Sequence, residues 1–333
     1  MSKPAQITLV TQVAPAIYQV RLPLPFALNS VNCYLLADEQ GWTVLDTGLG
    51  TSLGRAGWQE AFQSLGIAPQ DVRQIVLTHG HPDHYGMSGW LQQRSPQAPV
   101  LMTRETDWFS RYVWREPTRW QGEMRAYLTR SGLPPEMEAK ILADMAVMRQ
   151  RVQPPPEQVI LLEPGQILAM GGRRFRAIKA EGHSDDQVIF HDPESRLLLA
   201  GDQVLMRITP NIGLWPGTRS QPLARYLASL QELARLEVDL ALPGHGRLIQ
   251  DLAGRIQELE EHHRRRLAEM FQAVAPEGSS AYQVSRRVFP YENFSTHEIR
   301  FAVAETLAHL EHLLAAGVLE RRTEAGRWIY RSA

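Results

Sequence analysis

The chain has 333 residues with a formal net charge of −1, and 44% of its residues are hydrophobic. This near-neutral balance gives no bulk electrostatic attraction to nucleic acid or to an anionic membrane. A single cysteine, Cys33, excludes an intrachain disulfide, and no apolar run reaches the roughly 18 residues of a membrane span. Because no basic-then-apolar signal pattern opens the sequence, we expect a cytoplasmic protein with no membrane partner.

Short apolar segments alternate with turns over the first hundred residues. Strand patterns occupy residues 17–22, 31–37, 42–45 and 73–77, and a helical spacing covers 52–65. This alternation of strands and helices indicates an α/β protein.

Residues 103–156 interrupt that rhythm with a near-neutral stretch rich in tryptophan and tyrosine. Their spacing predicts helices over 107–112, 119–131 and 135–150. Because long insertions near a site often form lids or substrate walls, we expect at least one of these aromatic side chains to line a pocket.

Strand patterns return in the second half of the chain. They cover 159–162, 167–170, 174–180, 188–191, 197–200 and 239–242, with helical patterns over 222–236 and 252–274. We place a domain boundary near residues 275–278, where proline and glycine break the second helix. The predicted division is a catalytic domain over 1–250, a linking helix over 251–278 and a small domain over 279–333.

The small C-terminal domain has the pattern of a winged helix. A short helix over 282–288 and a longer one over 296–316 precede two strands, 318–322 and 328–330. From residue 279 onwards there are seven arginines and six acidic residues, which is not the dense basic face of a duplex-binding domain. We therefore expect this domain to pack or to form a homodimer rather than to bind nucleic acid.

The densest group of potential metal ligands follows the predicted strand at 73–77. His79, His81, Asp83 and His84 fall within six residues. Imidazole and carboxylate are the usual nitrogen and oxygen ligands of zinc and similar ions. On a helix His79 and His81 would point about 200° apart, so this spacing favours a loop that leaves a strand. The stretch predicts a metal site at a strand end.

Further polar side chains stand at the ends of other apolar runs. They are Asp46, His183, Asp202 and His245. Strand ends along one edge of a sheet are where binding groups converge. Tyr85, directly after the histidine motif, is a candidate for facing the substrate.

This order of residues resembles the metallo-beta-lactamase superfamily over about residues 15–250. The resemblance implies a four-layer αββα sandwich with its metal site along one edge. It also implies a ligand set, which is His79, His81 and His183 for a first metal, Asp83, His84 and His245 for a second, and Asp202 as the bridge between them. Asp46 would orient these ligands by hydrogen bonds.

Such a site implies two divalent cations, with zinc the first choice and iron or manganese also suited to these donors. The ions would activate a water molecule for attack on a carbonyl group, and Asp83 would shuttle its proton. The sequence contains no Gly-x-Ser-x-Gly elbow, so it offers no serine nucleophile of that kind.

We expect a glyoxalase II-like hydrolase of a small-molecule ester, thioester or lactone. The C-terminal pattern is similar to that of the subgroup containing lactamase-beta-like protein 2, which makes a single-stranded RNA endonuclease the first alternative. A non-catalytic metal-binding sensor or effector is the second alternative. The near-neutral, aromatic-rich insertion favours a small organic substrate.

Overall fold

The computed structural model describes residues 9–333 and contains two large β-sheets. The first sheet has seven strands in chain order, which are β1 Val10–Ala14, β2 Ile17–Pro23, β3 Ser30–Asp38, β4 Gly41–Leu45, β5 Val72–Val76, β6 Val100–Thr103 and β7 Val159–Leu162. Strands β1 to β4 pair antiparallel, and β4 to β7 pair parallel. The carboxyl ends of β4 and β5 therefore meet at the same edge.

The second sheet has five strands, which are β8 Ile167–Met170, β9 Arg173–Lys179, β10 Val188–Asp192, β11 Leu197–Gly201 and β12 Leu240–Pro243. Its spatial order is β12-β11-β10-β9-β8, and β11 and β12 run parallel. The hairpin between β8 and β9 turns at Gly171 and Gly172, both with positive φ.

Helices cover the outer faces of both sheets. They are α1 Ser52–Leu65, α2 Pro82–Tyr85, α3 Ser88–Arg94, α4 Arg104–Phe109, α5 Thr118–Arg130, α6 Pro135–Gln150, α7 Pro222–Leu233, α8 Leu252–Gln272, α9 Ala281–Val288 and α10 Thr296–Ala315. Within the described residues, no helix is long and apolar enough to cross a membrane.

Three groups of buried apolar side chains hold these layers together. Phe175 and Phe190 pack against side chains of the first sheet in the space between the sheets. Trp58 of α1 lies in the core outside the first sheet, and Tyr226 of α7 lies in the core outside the second. Burial of each large side chain contributes about 1.5–3 kcal/mol to folding. The layer order confirms the predicted αββα sandwich.

The C-terminal segment consists of α9, α10 and a hairpin of β13 Leu319–Glu324 and β14 Arg327–Ser332. This is the predicted order of elements, and its assignment as a winged helix stays a prediction. Helix α10 begins with a capping box between Ser295 and Glu298. It packs against α6, α7, α8 and α9, so it touches both the insertion and the main body.

The sequence patterns missed one strand and misplaced one helix. Strand β1 is a partly exposed edge strand in which the adjacent polar residues Thr11 and Gln12 interrupt the apolar alternation, so its sequence gives no strand signal. The helix expected over 107–112 begins earlier, at Arg104, and continues from Ser110 to Arg115 as a π-helix. Both differences lie outside the predicted metal site.

Candidate metal centre

The predicted site residues follow the carboxyl ends of five strands. Asp46 follows β4, the histidine motif follows β5, and His183 comes after β9. Asp202 follows β11, and His245 follows β12. The two sheets therefore deliver side chains from positions 46 to 245 to one place, as the strand-end pattern predicts.

The histidine motif is a loop that turns into a short helix. His81 has an extended backbone and is the N-cap of α2, and Pro82 occupies the first helical position. His79 and His81 therefore lie in the loop, whereas Asp83 and His84 lie on α2. Gly80 N–H donates to Asp186 Oδ2 at 2.7 Å, which ties the loop to the second sheet. Sequence reasoning did not single out Asp186.

A first group of converging atoms consists of three histidine nitrogens. His79 Nε2 and His183 Nε2 each lie 3.0 Å from His81 Nδ1. The other ring nitrogens are occupied, because His183 Nδ1 lies 3.0 Å from the carbonyl oxygen of Asn211 and His79 Nδ1 lies 2.9 Å from Thr78 Oγ1. A carbonyl oxygen accepts only, so His183 Nδ1 carries the proton and its Nε2 lone pair points inward. Such a cluster of lone pairs suits a cation.

A second group combines histidine and carboxylate. His245 Nε2 lies 3.3 Å from Asp83 Oδ2 and 3.3 Å from Asp202 Oδ2. His84 Nε2 lies 3.4 Å from the same Asp202 oxygen, and His183 Nε2 lies 3.6 Å from it. Asp202 Oδ2 is thus close to both groups. His84 Nε2 and Asp202 Oδ1 are buried without a hydrogen-bond partner in the described part of the chain, which a bound ion would remedy.

Asp46 lies behind these atoms rather than among them. Its Oδ1 accepts the backbone N–H of Thr78 at 2.8 Å. Its Oδ2 accepts from Thr78 Oγ1 and His84 Nδ1, each at 2.8 Å. These bonds fix the orientation of His84 and leave its Nε2 facing the cluster.

The charges of the cluster call for a cation. Although burial opposes it, Asp202 and Asp83 raise the pKa of His245 to about 10. Burial and the neighbouring His183 lower the pKa of His81 to about 3, which leaves the His81 lone pair free at neutral pH. Asp202 is buried and Asp83 is partly buried, so these two carboxylates require positive charge beside them, either as protons on histidine or as a divalent ion. The donor set fits the ion.

A cavity of about 340 Å³ opens onto the cluster. His81, Asp83 and Asp202 are part of its wall. The insertion contributes Phe109, Trp114, Trp120, Met124, Met145 and Met148. The expectation that an aromatic side chain of the insertion lines a pocket is therefore confirmed, and Trp114 also donates its Nε1–H to the carbonyl oxygen of Gly80 at 2.9 Å.

The C-terminal helix also lines this cavity, which the sequence did not indicate. His297, Arg300 and Phe301 of α10 form part of the wall. They stand more than fifty residues after the last site motif, in a segment to which we assigned no chemistry. Only the packing of α10 against the insertion reveals their position.

Tyr85 does not lie where the sequence suggested. Its side chain is 1% exposed and packs in the core outside the first sheet, and it is not part of the cavity wall. Because Tyr85 follows His84 on the helical turn of α2, its side chain points away from the cluster. The expectation that Tyr85 faces the substrate is wrong.

The αββα fold and the cluster of histidine and aspartate donors are those of a metallohydrolase. The sequence matches the family model of the metallo-beta-lactamase superfamily over residues 27–245 and that of the metallo-beta-lactamase-like C-terminal domain over residues 267–333. The chain belongs to the metallo-beta-lactamase superfamily.

Similar proteins agree with this assignment. The crystal structure of a metallo-beta-lactamase family protein from Thermus thermophilus is 35% identical, with a TM-score of 0.86 over 97% of this chain and 100% of that one. The "Probable metallo-hydrolase YqjP" of Bacillus subtilis is 26% identical over 89% of this chain and 91% of its own length. The atrochrysone carboxyl ACP thioesterase of Aspergillus fumigatus is 22% identical over 76% of this chain and 62% of its own length.

Proposed function

We propose that this protein is a dinuclear metal-dependent hydrolase of a small-molecule ester, thioester or lactone. The observation that carries the proposal is the convergence of imidazole and carboxylate atoms at the wall of a largely apolar cavity. Catalytic metal sites in proteins combine such donors with an accessible position for substrate.

In this proposal the two groups of converging atoms hold one ion each. His79, His81 and His183 would hold the first, and Asp83, His84 and His245 the second. Asp202 Oδ2 would serve both, since it lies 3.3–3.6 Å from nitrogens of the two groups. Zinc suits five imidazoles and two carboxylates best, and iron and manganese share these preferences. When bound, the ions would lower the pKa of water and polarise the scissile carbonyl group.

The protein's own side chains would supply orientation and proton transfer. Asp46 Oδ2 accepts a hydrogen bond from His84 Nδ1. The carbonyl oxygen of Ser30 accepts from His245 Nδ1, and that of Asn211 accepts from His183 Nδ1. Asp83 lines the cavity, so its carboxylate is placed to take a proton from water and to pass it to the leaving group. Fixed donors of this kind cost little reorganisation during the reaction.

The cavity favours a small organic substrate. Its volume of about 340 Å³ lies at the lower end of small-molecule sites, which span roughly 300–1,000 Å³. Tryptophan, phenylalanine and methionine side chains dominate the wall contributed by the insertion. A thioesterase among the similar proteins adds support for an acyl substrate. The RNA endonuclease alternative would call for a basic groove, and Arg300 is the one lysine or arginine in the described cavity wall.

A substrate panel tests this proposal. Purified protein is loaded with zinc or manganese and assayed against thioesters, lactones, a phosphodiester and single-stranded RNA, with Asp83→Ala as the control. We expect turnover of a thioester, an ester or a lactone, and a rate at least about 100-fold lower in Asp83→Ala. Cleavage of RNA alone would establish the endonuclease instead, and metal binding without any turnover would favour the sensor.

A further inference from the structure

Arg300 is the only arginine or lysine in the described wall of the cavity. It stands on the first turns of α10, whose start is fixed by the Ser295–Glu298 capping box. Its guanidinium carbon lies 5.1 Å from the ring centre of Trp215 and 4.5 Å from that of Phe301. Two aromatic rings therefore hold this cation in place.

Arg300 forms no salt bridge in the described part of the chain, and Asp144 acts on it only from a longer distance. Among the described residues, no carboxylate oxygen lies within 4.0 Å of its guanidinium nitrogens, in contrast to many other arginines of the chain. Its nearest polar side-chain contact is His297 Nδ1, 3.5 Å from Nη2. Burial lowers the pKa of Arg300 to about 10, so it is still charged at neutral pH.

The acidic side chains of the cavity wall are all engaged elsewhere. Asp83 and Asp202 lie against His245 in the metal cluster. Asp185 accepts from Arg225 Nη2 at 2.7 Å. Glu298 accepts the backbone N–H of Ser295 at 2.8 Å.

A partly buried cation without a salt bridge is costly, and a ligand that completes the pair removes that cost. The guanidinium group is planar and matches a carboxylate with two parallel N–H···O bonds. A phosphate dianion would call for further cations, and the described wall contains none. The missing partner is therefore best supplied by a carboxylate on the substrate.

We propose that Arg300 binds a carboxylate of the substrate, and that the hydrolase acts on acidic esters or thioesters whose free carboxylate reaches this side chain. The inference rests on the proposed function of the same cavity. It assigns to the C-terminal helix a role in substrate selection, with the reaction itself confined to the metal cluster.

Two matched pairs of thioesters test the inference. In the first pair the acyl group is glutaryl or valeryl, with the same thiol. In the second pair the thiol is 3-mercaptopropionate or its methyl ester, with the same acyl group. We expect the carboxylate member of at least one pair to have a kcat/KM about 10- to 100-fold above that of its neutral partner, the usual effect of one charge-assisted contact.

Variants assign that preference to Arg300. Arg300→Gln is expected to lower kcat/KM for the preferred acidic substrate at least tenfold and to leave the neutral partner within about threefold, and Arg300→Lys is expected to retain part of the preference. Arg94→Gln is the control, since Arg94 also lies over a tryptophan ring, at 3.7 Å from the centre of Trp90, but outside the cavity wall. The inference is overturned if the wild type shows no preference in either pair, or if Arg300→Gln slows both members equally.

A binding measurement separates this inference from the proposed function. If the metal-loaded wild type hydrolyses neither these pairs nor any ester, thioester or lactone of the panel, the proposed function fails, and calorimetry with glutarate still tests whether Arg300 binds a carboxylate. At least tenfold weaker glutarate binding by Arg300→Gln than by the wild type and by Arg94→Gln supports the carboxylate site. Equal binding by the three proteins, or none by the wild type, rejects it.

Discussion

Asn211 and Glu305 are 94 positions apart in the chain, yet Asn211 Nδ2 donates to Glu305 Oε2 at 3.2 Å. The backbone oxygen of the same asparagine accepts from His183 Nδ1 at 3.0 Å. Helix α10 is thereby connected to a predicted metal ligand through one residue. The C-terminal segment supports the site as well as lining it.

Removing the Glu305 carboxylate should therefore weaken metal binding. In Glu305→Ala the amide of Asn211 loses one of its two acceptors and keeps the carbonyl oxygen of Phe301 at 3.3 Å, so the loop that orients His183 is less restrained. Partners that orient metal ligands typically contribute about 10- to 100-fold to affinity, and we expect about tenfold here because the contact is one step further away. Competition with a chromogenic chelator measures the metal Kd.

Glu311→Ala is the matched control for Glu305→Ala. Glu311 lies on the same helix, and its carboxylate accepts from Tyr330 and Arg321 of the C-terminal hairpin rather than from the metal-site loop. Its loss should reduce stability without changing metal affinity. Equal metal affinities in Glu305→Ala and the wild type would contradict the connection to His183.

Glu305 should also make stability depend on pH. Burial raises the pKa of Glu305 to about 7 from a usual value of 4.5, although Arg266 and Asn211 act in the opposite direction. The folded protein thus keeps a proton that the unfolded chain releases, so this stabilisation is full below pH 4.5 and is lost as the pH rises through 7. The loss is at most about 3 kcal/mol.

Urea unfolding between pH 5 and pH 8 measures this effect. Other buried groups also titrate in this range, so the informative quantity is the difference between two proteins. Relative to Glu305→Gln, whose amide does not ionise, the free energy of unfolding of the chelator-treated wild type should fall as the pH rises from 5 to 8. An unchanged slope in Glu305→Gln would show that another group causes the pH dependence.

Removing one ligand from one group should change the metal content by one ion. His245 contacts Asp83 and Asp202 but does not belong to the three-histidine group. We expect about two equivalents of metal in the wild type and about one in His245→Ala, measured by elemental analysis after dialysis. His262→Ala is the control, because His262 lies on α8 outside every group of converging atoms. A full complement of metal in His245→Ala would remove His245 from the ligand set.

The convergence of the site residues could be predicted because each follows a strand. His79, Asp202 and His245 stand at carboxyl ends of strands, and strand ends of an α/β sandwich share an edge. Arg300 could not be found in this way. It lies on a helix that packs against the insertion through contacts between segments far apart in the chain. A local sequence pattern does not predict such contacts.

The burial of certain polar side chains is a second feature that the sequence does not predict. His263 lies in a charged stretch of α8, a pattern typical of a solvated helix face, yet it is 1% exposed and its ring stacks on His309 of α10. Helical spacing shows which residues share a face, but not whether a second helix covers that face.

Gly244 offers a way to damage the cluster without deleting a ligand. A methyl group at this position would lie 2.6 Å from His84 Cε1 and closer still to Asp202 Oδ1. Gly244→Ala should therefore displace both side chains, and we expect at least a tenfold loss of metal affinity with every ligand still present. Circular dichroism measures whether the variant is folded, and titration of metal in competition with a chelator dye measures its metal Kd.

Gly246→Ala is the control for Gly244→Ala in the same loop. Gly246 has a φ of 75°, and an added methyl group would meet nothing within 4 Å. The substitution should cost about 1–2 kcal/mol of stability through backbone strain and leave the metal Kd unchanged. If both alanine variants bind metal as the wild type does, the close packing of Gly244 against Asp202 and His84 does not shape the site. If both weaken binding equally, the effect comes from the loop as a whole and not from the clash.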